Sequence, residues 1–344
     1  MQLDAYTYSD LSIFHRDENY SVFHKLDFTT TIGGSAALEE VFRNPYRKYE
    51  AILSSQQAIQ LILNNLDQWP SGITNGTILM LEKFIAYQLD PTPKKTTVLE
   101  CYTYRIVHLS DYSRITFSIV HLQTFFKVMN ALCKLLNFGD APSMLKSLVE
   151  RIKELLSATT VQQFLNKKES ETFSIVEHVT YGGFFHQQYR TQIFELIEIF
   201  SQLDALYSMA VAMKHFDLHF PVFLQKDEPI LEASGLYHLL LENPEPYNIR
   251  MDPQTNFIFL TGANMAGKST FIKAVGLSVF LAHLGMGVPA TSFTLSLFDG
   301  ILSNINVTDN LIKGESYFYN EVQRIKNTVI KINDGKKNCV LIDE

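Results

Sequence analysis

Apolar positions along the first two-thirds of the chain recur at helical spacing, interrupted by short polar, glycine and proline clusters. Ala37, Leu38, Val41 and Phe42 predict a helix over 36–43, with Ser35 as its N-cap and Asn44-Pro45 as its stop. A second helix is predicted from Tyr49 towards Leu66, where Ile52, Ala58, Ile59, Leu61 and Ile62 form an apolar stripe. The cluster Gly72-Ile73-Thr74-Asn75-Gly76 reads as a turn, and Thr77 to Leu89 as a further helix ended by Asp90-Pro91-Thr92-Pro93. Aromatic and β-branched residues leave the stretch from Thr97 open between strand and helix, whereas Ser113 to Leu136 predicts helix. Leu145 to Leu156 and Thr159 to Leu165 predict two more, and Glu169 to Gly183 reads as a connection. A long helix is expected from about Gln187 to His215, its stripe of Ile193, Leu196, Ile197, Phe200, Leu203, Leu206, Met209 and Ala210 serving as core.

The pattern then changes. Pro221, Pro229, Pro244 and Pro246 crowd the stretch from Phe220 to Asn248, which places a domain boundary there, with 1–228 helical and 229–344 mixed. Phe257-Ile258-Phe259-Leu260 is a short apolar run ending in Thr261-Gly262, and a long apolar stretch follows from Thr270 to Leu284, predicting strand, loop and helix. Cys339-Val340-Leu341-Ile342, closed by Asp343-Glu344, has the form of a buried parallel strand that delivers two carboxylates. The expected fold class is therefore α plus α/β: a helical domain followed by a mixed domain with a partial sheet.

Composition narrows this picture. With 344 residues, 46% apolar and 19% charged, the chain suits two or three globular domains. No stretch reads as both long enough and free enough of charge to cross a bilayer, so no membrane partner is expected. Met1-Gln2-Leu3-Asp4 lacks the basic and apolar regions of a signal peptide, and the cytoplasm is the expected compartment. Cys101, Cys133 and Cys339 are too widely spaced for a zinc pattern and read as buried thiols. A net charge of −7 offers no general attraction to a polyphosphate, so any DNA contact needs a local basic patch. The pairs Lys94-Lys95, Lys167-Lys168 and Lys336-Lys337 read as solvated loop charge.

The stretch with the clearest chemistry is Gly262-Ala263-Asn264-Met265-Ala266-Gly267-Lys268-Ser269, which fits G-x-x-x-x-G-K-[ST] at every fixed position. Its glycines let successive backbone N–H groups turn towards a phosphate, Lys268 reaches the β- and γ-phosphates, and the Ser269 hydroxyl is a hard ligand for Mg²⁺. A helix starting there aims its positive end at the anion. ATP and Mg²⁺ are the expected ligands. Tyr247 stands before the loop, where it could stack on a base or serve as an ordinary turn aromatic. His283, inside the apolar stretch after the loop, reads as a core histidine. The ten histidines form no H-E-x-x-H pattern, so no second metal is expected.

Around this loop the chain resembles the MutS family of DNA mismatch repair ATPases. Thr261 to Thr270 carries the Asn264-Met265 pair inside the loop, and Gly287-Val288-Pro289-Ala290 is similar to the family's small-residue segment after the helix. The run Asp309-Asn310-Leu311-Ile312-Lys313-Gly314-Glu315-Ser316-Tyr317-Phe318-Tyr319-Asn320-Glu321 resembles the signature loop D-D-L-x-x-G-x-S-T-F-x-x-E, from which Asn310 and Tyr317 depart. Leu26-Asp27-Phe28-Thr29-Thr30-Thr31-Ile32-Gly33-Gly34 resembles the start of the family's lever domain, and Leu203-Asp204-Ala205-Leu206 its returning helix. Gly235-Leu236-Tyr237-His238 resembles the approach to the ATPase domain, although His238 is followed by Leu239 where the family has proline, so His238 reads as structural.

The resemblance implies ATP held by 262–270, Ser316 meeting the nucleotide of an opposite subunit, a homodimer through the ATPase domain, and a lever that moves on mismatched or structured DNA. Asp343 is then a Walker B ligand of the Mg²⁺ shell beside Ser269, and Glu344 the general base that polarises water, with Lys268 assisting. With the lever resemblance opening the chain, the family's mismatch-reading and connector domains are expected to be missing, and only 158–183 is expected to stand for the DNA clamp. With no strand after Walker B, weak or absent hydrolysis is expected if 344 residues is the whole molecule, or else the chain is a fragment. A nucleotide-regulated scaffold is the competing expectation, and a small-molecule kinase a third.

Overall fold

The computed structural model describes residues 1–93, 95–137, 139, 142–167, 172–264, 266–305 and 317–343, with the backbone alone for 317–320. In chain order the first helices are α1 (Ala5–Asp10), α2 (Val22–Leu26), α3 (Ile32–Arg43), α4 (Tyr49–Leu63), α5 (Asn75–Ala86) and α6 (Val98–Val107). Next come α7 (Leu109–Leu135), α8 (Ser143–Leu156), α9 (Thr159–Leu165), α10 (Ile175–Gly183) and α11 (Arg190–His215). Strands β1 (Val222–Leu224), β2 (Leu231–Leu236) and β3 (Tyr247–Met251) precede α12 (Lys268–His283). The remainder comprises β4 (Ser292–Ser296), β5 (Gly300–Asn304), α13 (Tyr317–Ile332) and β6 (Asn338–Ile342). The chain is thus mainly helical with small mixed sheets.

Two compact units share these elements, and they interleave along the chain. One holds 29–37 and 64–207, the other 1–28, 38–63 and 208–344. The sequence places a single boundary at 228/229; long-range contacts instead gather the first 28 residues and the α4 segment with the last third.

The helical unit is built on aromatic packing. Phe84, Phe125, Phe126, Phe164 and Phe185 are fully buried, and α7 packs against α5, α6, α8, α9 and α10. Two close approaches depend on glycine at the end of α10. A Cβ at Gly182 would stand 2.4 Å from the Ile115 side chain, and one at Gly183 2.2 Å from Thr92 Oγ1. The stretch 169–183, expected as a connection, contains α10. Its start was legible, because the Ser174 hydroxyl accepts from Glu177 N–H while the Glu177 carboxylate accepts from Ser174 N–H, a capping box. Thr97 to Val107, open between strand and helix, is α6 with Thr97 as N-cap. Lys167, expected as a solvated charge, is half-buried, with its ammonium 2.5 Å from Glu177 Oε1 and 4.8 Å from the Phe173 ring centroid.

Helix α3 starts at Ile32, three residues before the expected N-cap Ser35, and the reason is tertiary. The Asp204 carboxylate of α11 accepts from the N–H groups of Thr30 and Thr31 and from both hydroxyls, at 2.7–3.1 Å. Thr31 Oγ1 in turn accepts from Gly34 N–H. A buried anion at a helix N-terminus satisfies donors that the helix leaves unpaired and complements its dipole. Helix α11 is long and apolar enough to cross a membrane, contrary to the expectation from sequence; 72% of its most apolar window is buried in protein, as in a core helix.

In the mixed unit one sheet has the order β1-β4-β2-β3, with β1 and β4 parallel and the other pairs antiparallel. The second sheet is the parallel pair β5-β6, from Gly300 opposite Asn338 to Asn304 opposite Ile342. The backbone of Gln2 bridges to β5 on its other side, accepting from Ile301 N–H. Strand β6 confirms the parallel strand expected at 339–342, but the burial expected of it belongs to β5. All five β5 residues are buried, whereas in β6 only Leu341 is, because α1, α13 and the Gln2 backbone cover β5.

The strand expected at Phe257-Ile258-Phe259-Leu260 does not form. Among the described residues no strand pairs with this run, and Phe257 and Phe259 are each nearly four-fifths exposed. An apolar run becomes a strand only when a neighbour completes its ladder, and here the sequence pattern meets none.

Candidate functional site

Helix α12 organises the site. From Ala274 to His283 every residue is buried, so the helix runs through the core of its unit while its first turn reaches the surface. Its seat on β6 depends on Gly276, where a Cβ would come within 2.3 Å of Leu341 Cδ1 and 2.9 Å of Leu11 Cδ2. At the other end, Gly267 adopts a left-handed conformation (φ +86°) immediately before the first helical residue, Lys268. Glycine tolerates that backbone without steric cost.

The loop ahead of α12 is exposed from Thr261 to Asn264 and at Ala266. Ala266 N–H donates to Ala263 O, closing a turn, and Phe271 N–H donates to Gly267 O in the first helical turn. The Lys268 ammonium folds back over the loop and donates to Gly262 O at 2.9 Å and Ala263 O at 3.2 Å. Ser269 is exposed in the first turn, and Thr270 is half-buried behind it. The structure thus brings Gly262, Ala263, Gly267 and Lys268 together around one helix N-terminus, with Asn264 and Ser269 at its surface. Met265 lies outside the described residues.

Tyr247, the first residue of β3, lies beside this loop. Its ring meets Phe271 edge-on at 5.3 Å between centroids, and its hydroxyl would be 3.7 Å from a Cβ at Gly267. An aromatic face next to a helix N-terminus suits a ligand that carries both a ring and an anion. These residues fit a nucleotide: the α12 N-terminus and Lys268 supply positive potential, and the Ser269 hydroxyl an oxygen ligand of the kind Mg²⁺ takes.

Asp343 follows β6, half-buried, and its N–H donates to Asn304 O at 3.0 Å, extending the ladder beyond Ile342. Helix α12 packs on β6, so the two expected parts of the site share one scaffold. Glu344 and Ser316 lie outside the described residues.

The two histidines read as structural are so placed. His283 is fully buried; its Nδ1–H donates to Tyr46 O at 3.0 Å and its Nε2 accepts from Phe298 N–H at 3.3 Å, so both ring nitrogens are used by backbone. Burial pushes its pKa down to about 4. His238 Nδ1 accepts from Leu240 N–H, and burial, followed by the charges of Lys273 and Lys25, likewise lowers it to about 4. Cys101 and Cys133 are buried as expected, while Cys339 is half-buried in β6.

Sequence reasoning missed the buried ion pair that secures β5. Asp10, at the end of α1, accepts from Arg324 Nη2 at 2.7 Å, from Ser303 Oγ at 2.7 Å and from Ile305 N–H at 3.1 Å. Arg324 also donates to Ser303 O and lies over the Tyr6 ring. No local pattern pairs residues more than 300 positions apart, so nothing in the sequence signals this contact.

Comparison with known proteins bears on the same stretch. Residues 258–344 match the family model of MutS domain V. Over 187 residues, 51% of this chain, it is 34% identical to the DNA mismatch repair protein spellchecker 1 of Drosophila melanogaster. It is 32% identical over 185 residues to the DNA mismatch repair protein MutS of Thermotoga maritima, and 38% identical over 149 residues to that of Carboxydothermus hydrogenoformans. The matched stretches cover 52% and 41% of this chain. They span about a fifth of the length of these relatives: 20%, 22% and 17% respectively. About half of the chain is thus similar to MutS-type mismatch repair proteins.

Proposed function

We propose that this chain is a MutS-like protein of DNA mismatch repair or a related DNA transaction, in which binding of ATP with Mg²⁺ at residues 262–270 is coupled to movement of the helical part on DNA. The observation that carries this reading is the phosphate-loop arrangement itself, with left-handed Gly267 opening α12 and Lys268 held over the loop carbonyls. The N–H groups of the first helical turn and the Lys268 ammonium hold the phosphates, and Tyr247 packs against the base. Ser269 and Asp343 would hold the metal, whose charge would offset that of the phosphates. Glu344 orients and deprotonates the attacking water, and Ser316 from a second subunit meets the nucleotide, both roles resting on the resemblance to MutS proteins. DNA, a homodimer through the ATPase domain at 229–344 and a cytoplasmic setting belong to the same proposal.

Titration with a fluorescent ATP analogue and Mg²⁺ tests it. Binding is expected in the wild type and lost in Lys268→Ala. An empty site at millimolar Mg·ATP rejects the reading. Turnover compared with Glu344→Gln tests the hydrolytic step, and a protein that binds but does not turn over is the regulated scaffold instead. Binding to homoduplex, mismatched and branched DNA, with and without ATP across a salt series, tests the partner, since phosphate contacts must weaken as salt rises.

A further inference from the structure

Away from the phosphate loop, in the helical unit, three metal-ligating side chains converge where α6 gives way to α7. His108 is the single residue between the two helices, with φ −113° and ψ 54°. Its Nδ1 lies 2.7 Å from Asp90 Oδ2. Asp111, in the first turn of α7, is 6% exposed, and its Oδ2 accepts from Asp90 N–H at 3.0 Å. One donor atom from each of Asp90, His108 and Asp111 lies within 4.8 Å of the other two.

We propose that Asp90, His108 and Asp111 form a binding site for a first-row divalent cation, with Zn²⁺ the best-matched ion. One imidazole nitrogen and two carboxylate oxygens make a three-ligand set of the kind zinc accepts with a fourth position left to water. Bond lengths of about 2.0–2.2 Å put donors around one ion roughly 3–3.5 Å apart, so binding must draw the donors in from their present spacing of up to 4.8 Å. Those two side chains are 61% and 31% exposed, which leaves a path for the ion and its water.

The surroundings hold the ligands in place. Tyr104 packs its ring against His108 at 4.8 Å between centroids, and its hydroxyl donates to Asp90 O at 3.2 Å. Asp90 therefore has both its amide and its carbonyl pinned while its half-exposed carboxylate meets His108. Arg114 Nη1, 3.3 Å from Asp111 Oδ1, offsets one of the two carboxylate charges and engages the oxygen that the Asp90 amide does not use. Partners of this kind around a ligand set orient it and tune its affinity. A hydrogen bond joins His108 to Asp90, and the Asp90 amide and Arg114 hold Asp111 beside them; a cation that replaced the imidazole proton would draw the three ligands onto one centre. The bound ion ties the segment after α5 to the break between α6 and α7.

The test uses the full chain, stripped with chelator and titrated with Zn²⁺ by calorimetry in the absence of nucleotide, so its outcome is independent of the phosphate loop. One equivalent is expected to bind, and Asp90→Asn or His108→Ala to weaken it at least about tenfold. Both positions are exposed enough for the variants to fold, which circular dichroism checks. Co²⁺ substitution provides a second readout: the visible bands of a nitrogen–oxygen site without the near-ultraviolet charge transfer of a thiolate. No binding by the wild type, binding unchanged in the Asp90→Asn/His108→Ala double variant, or a thiolate band overturns the proposal.

Discussion

Asp204 in the helical unit and Asp10 in the mixed unit are each about 1% exposed, yet different kinds of donor satisfy them. Asp204 accepts from two backbone amides and two threonine hydroxyls at the start of α3. Asp10 accepts from the Arg324 guanidinium as well as from Ser303 and Ile305. The first carboxylate therefore works through local helix-terminal geometry, and the second through a buried ion pair between segments far apart in sequence. A carboxylate held by neutral donors leaves only unsatisfied dipoles when removed, whereas one held by a cation leaves a buried charge.

The largest expected effect follows from that contrast. Asp10→Asn removes the carboxylate charge that faces Arg324 in a buried site and is expected to destabilise the mixed unit by about 3–5 kcal/mol, read from denaturant unfolding. A loss below about 1 kcal/mol would show that the ion pair contributes little there. Acidification comes next. His283 and His238 sit in the mixed unit with folded pKa values lowered to about 4, against about 6.5 for an unfolded chain. The unfolded state takes up protons first, so stability is full above pH 6.5 and declines as pH falls from there towards 4, by up to roughly 3 kcal/mol per histidine. Unfolding midpoints that stay level across this window would contradict the buried, neutral assignment.

Asp204→Ala in the helical unit is expected to cost less than Asp10→Asn, about 2 kcal/mol, with hydrogen exchange accelerated at the Thr30 and Thr31 amides. Gly34→Ala probes the same joint by crowding, since the new Cβ would fall 2.1 Å from Asp204 Oδ2; a loss of roughly 1–3 kcal/mol is expected. Equal costs for the Asp10 and Asp204 variants would remove the distinction between them. The smallest effect on stability is expected for Lys268→Ala, within about 0.5 kcal/mol by thermal unfolding, because its partners are carbonyls of an exposed loop.

The helical unit was the more legible of the two. Period and capping placed α8 and α9 to within a few residues, because a helix closes its hydrogen bonds within its own segment. The errors there have local causes: Thr74 and Thr77 form a capping box that starts α5 inside an apparent turn cluster, and Ser174 and Glu177 form one that starts α10. In the mixed unit, α12 and β6 were found from their apolar runs, but β1 to β5 and α13 were not. Strands of three to six residues carry too few alternations to stand out, and their pairing depends on partners supplied from elsewhere. The 257–260 run shows the converse, a strand-like pattern with no neighbour in the described structure.

The candidate site divides along the same line. Residues 262–269 were readable because eight consecutive positions carry the chemistry, and in the structure Lys268 lies over the carbonyls of Gly262 and Ala263 with Gly267 opening α12. By itself the sequence determined helices such as α8, α9 and α12, the phosphate-loop motif and the resemblance to MutS proteins, since each is written in residues a few positions apart. Tertiary structure alone decided that Asp204 starts α3, that Asp10 meets Arg324, that β5 rather than β6 is the buried strand, and that residues 1–28 pack with the last third. Those outcomes depend on which distant groups satisfy a buried donor or cover a face, and that choice is made only when the whole chain has closed around them.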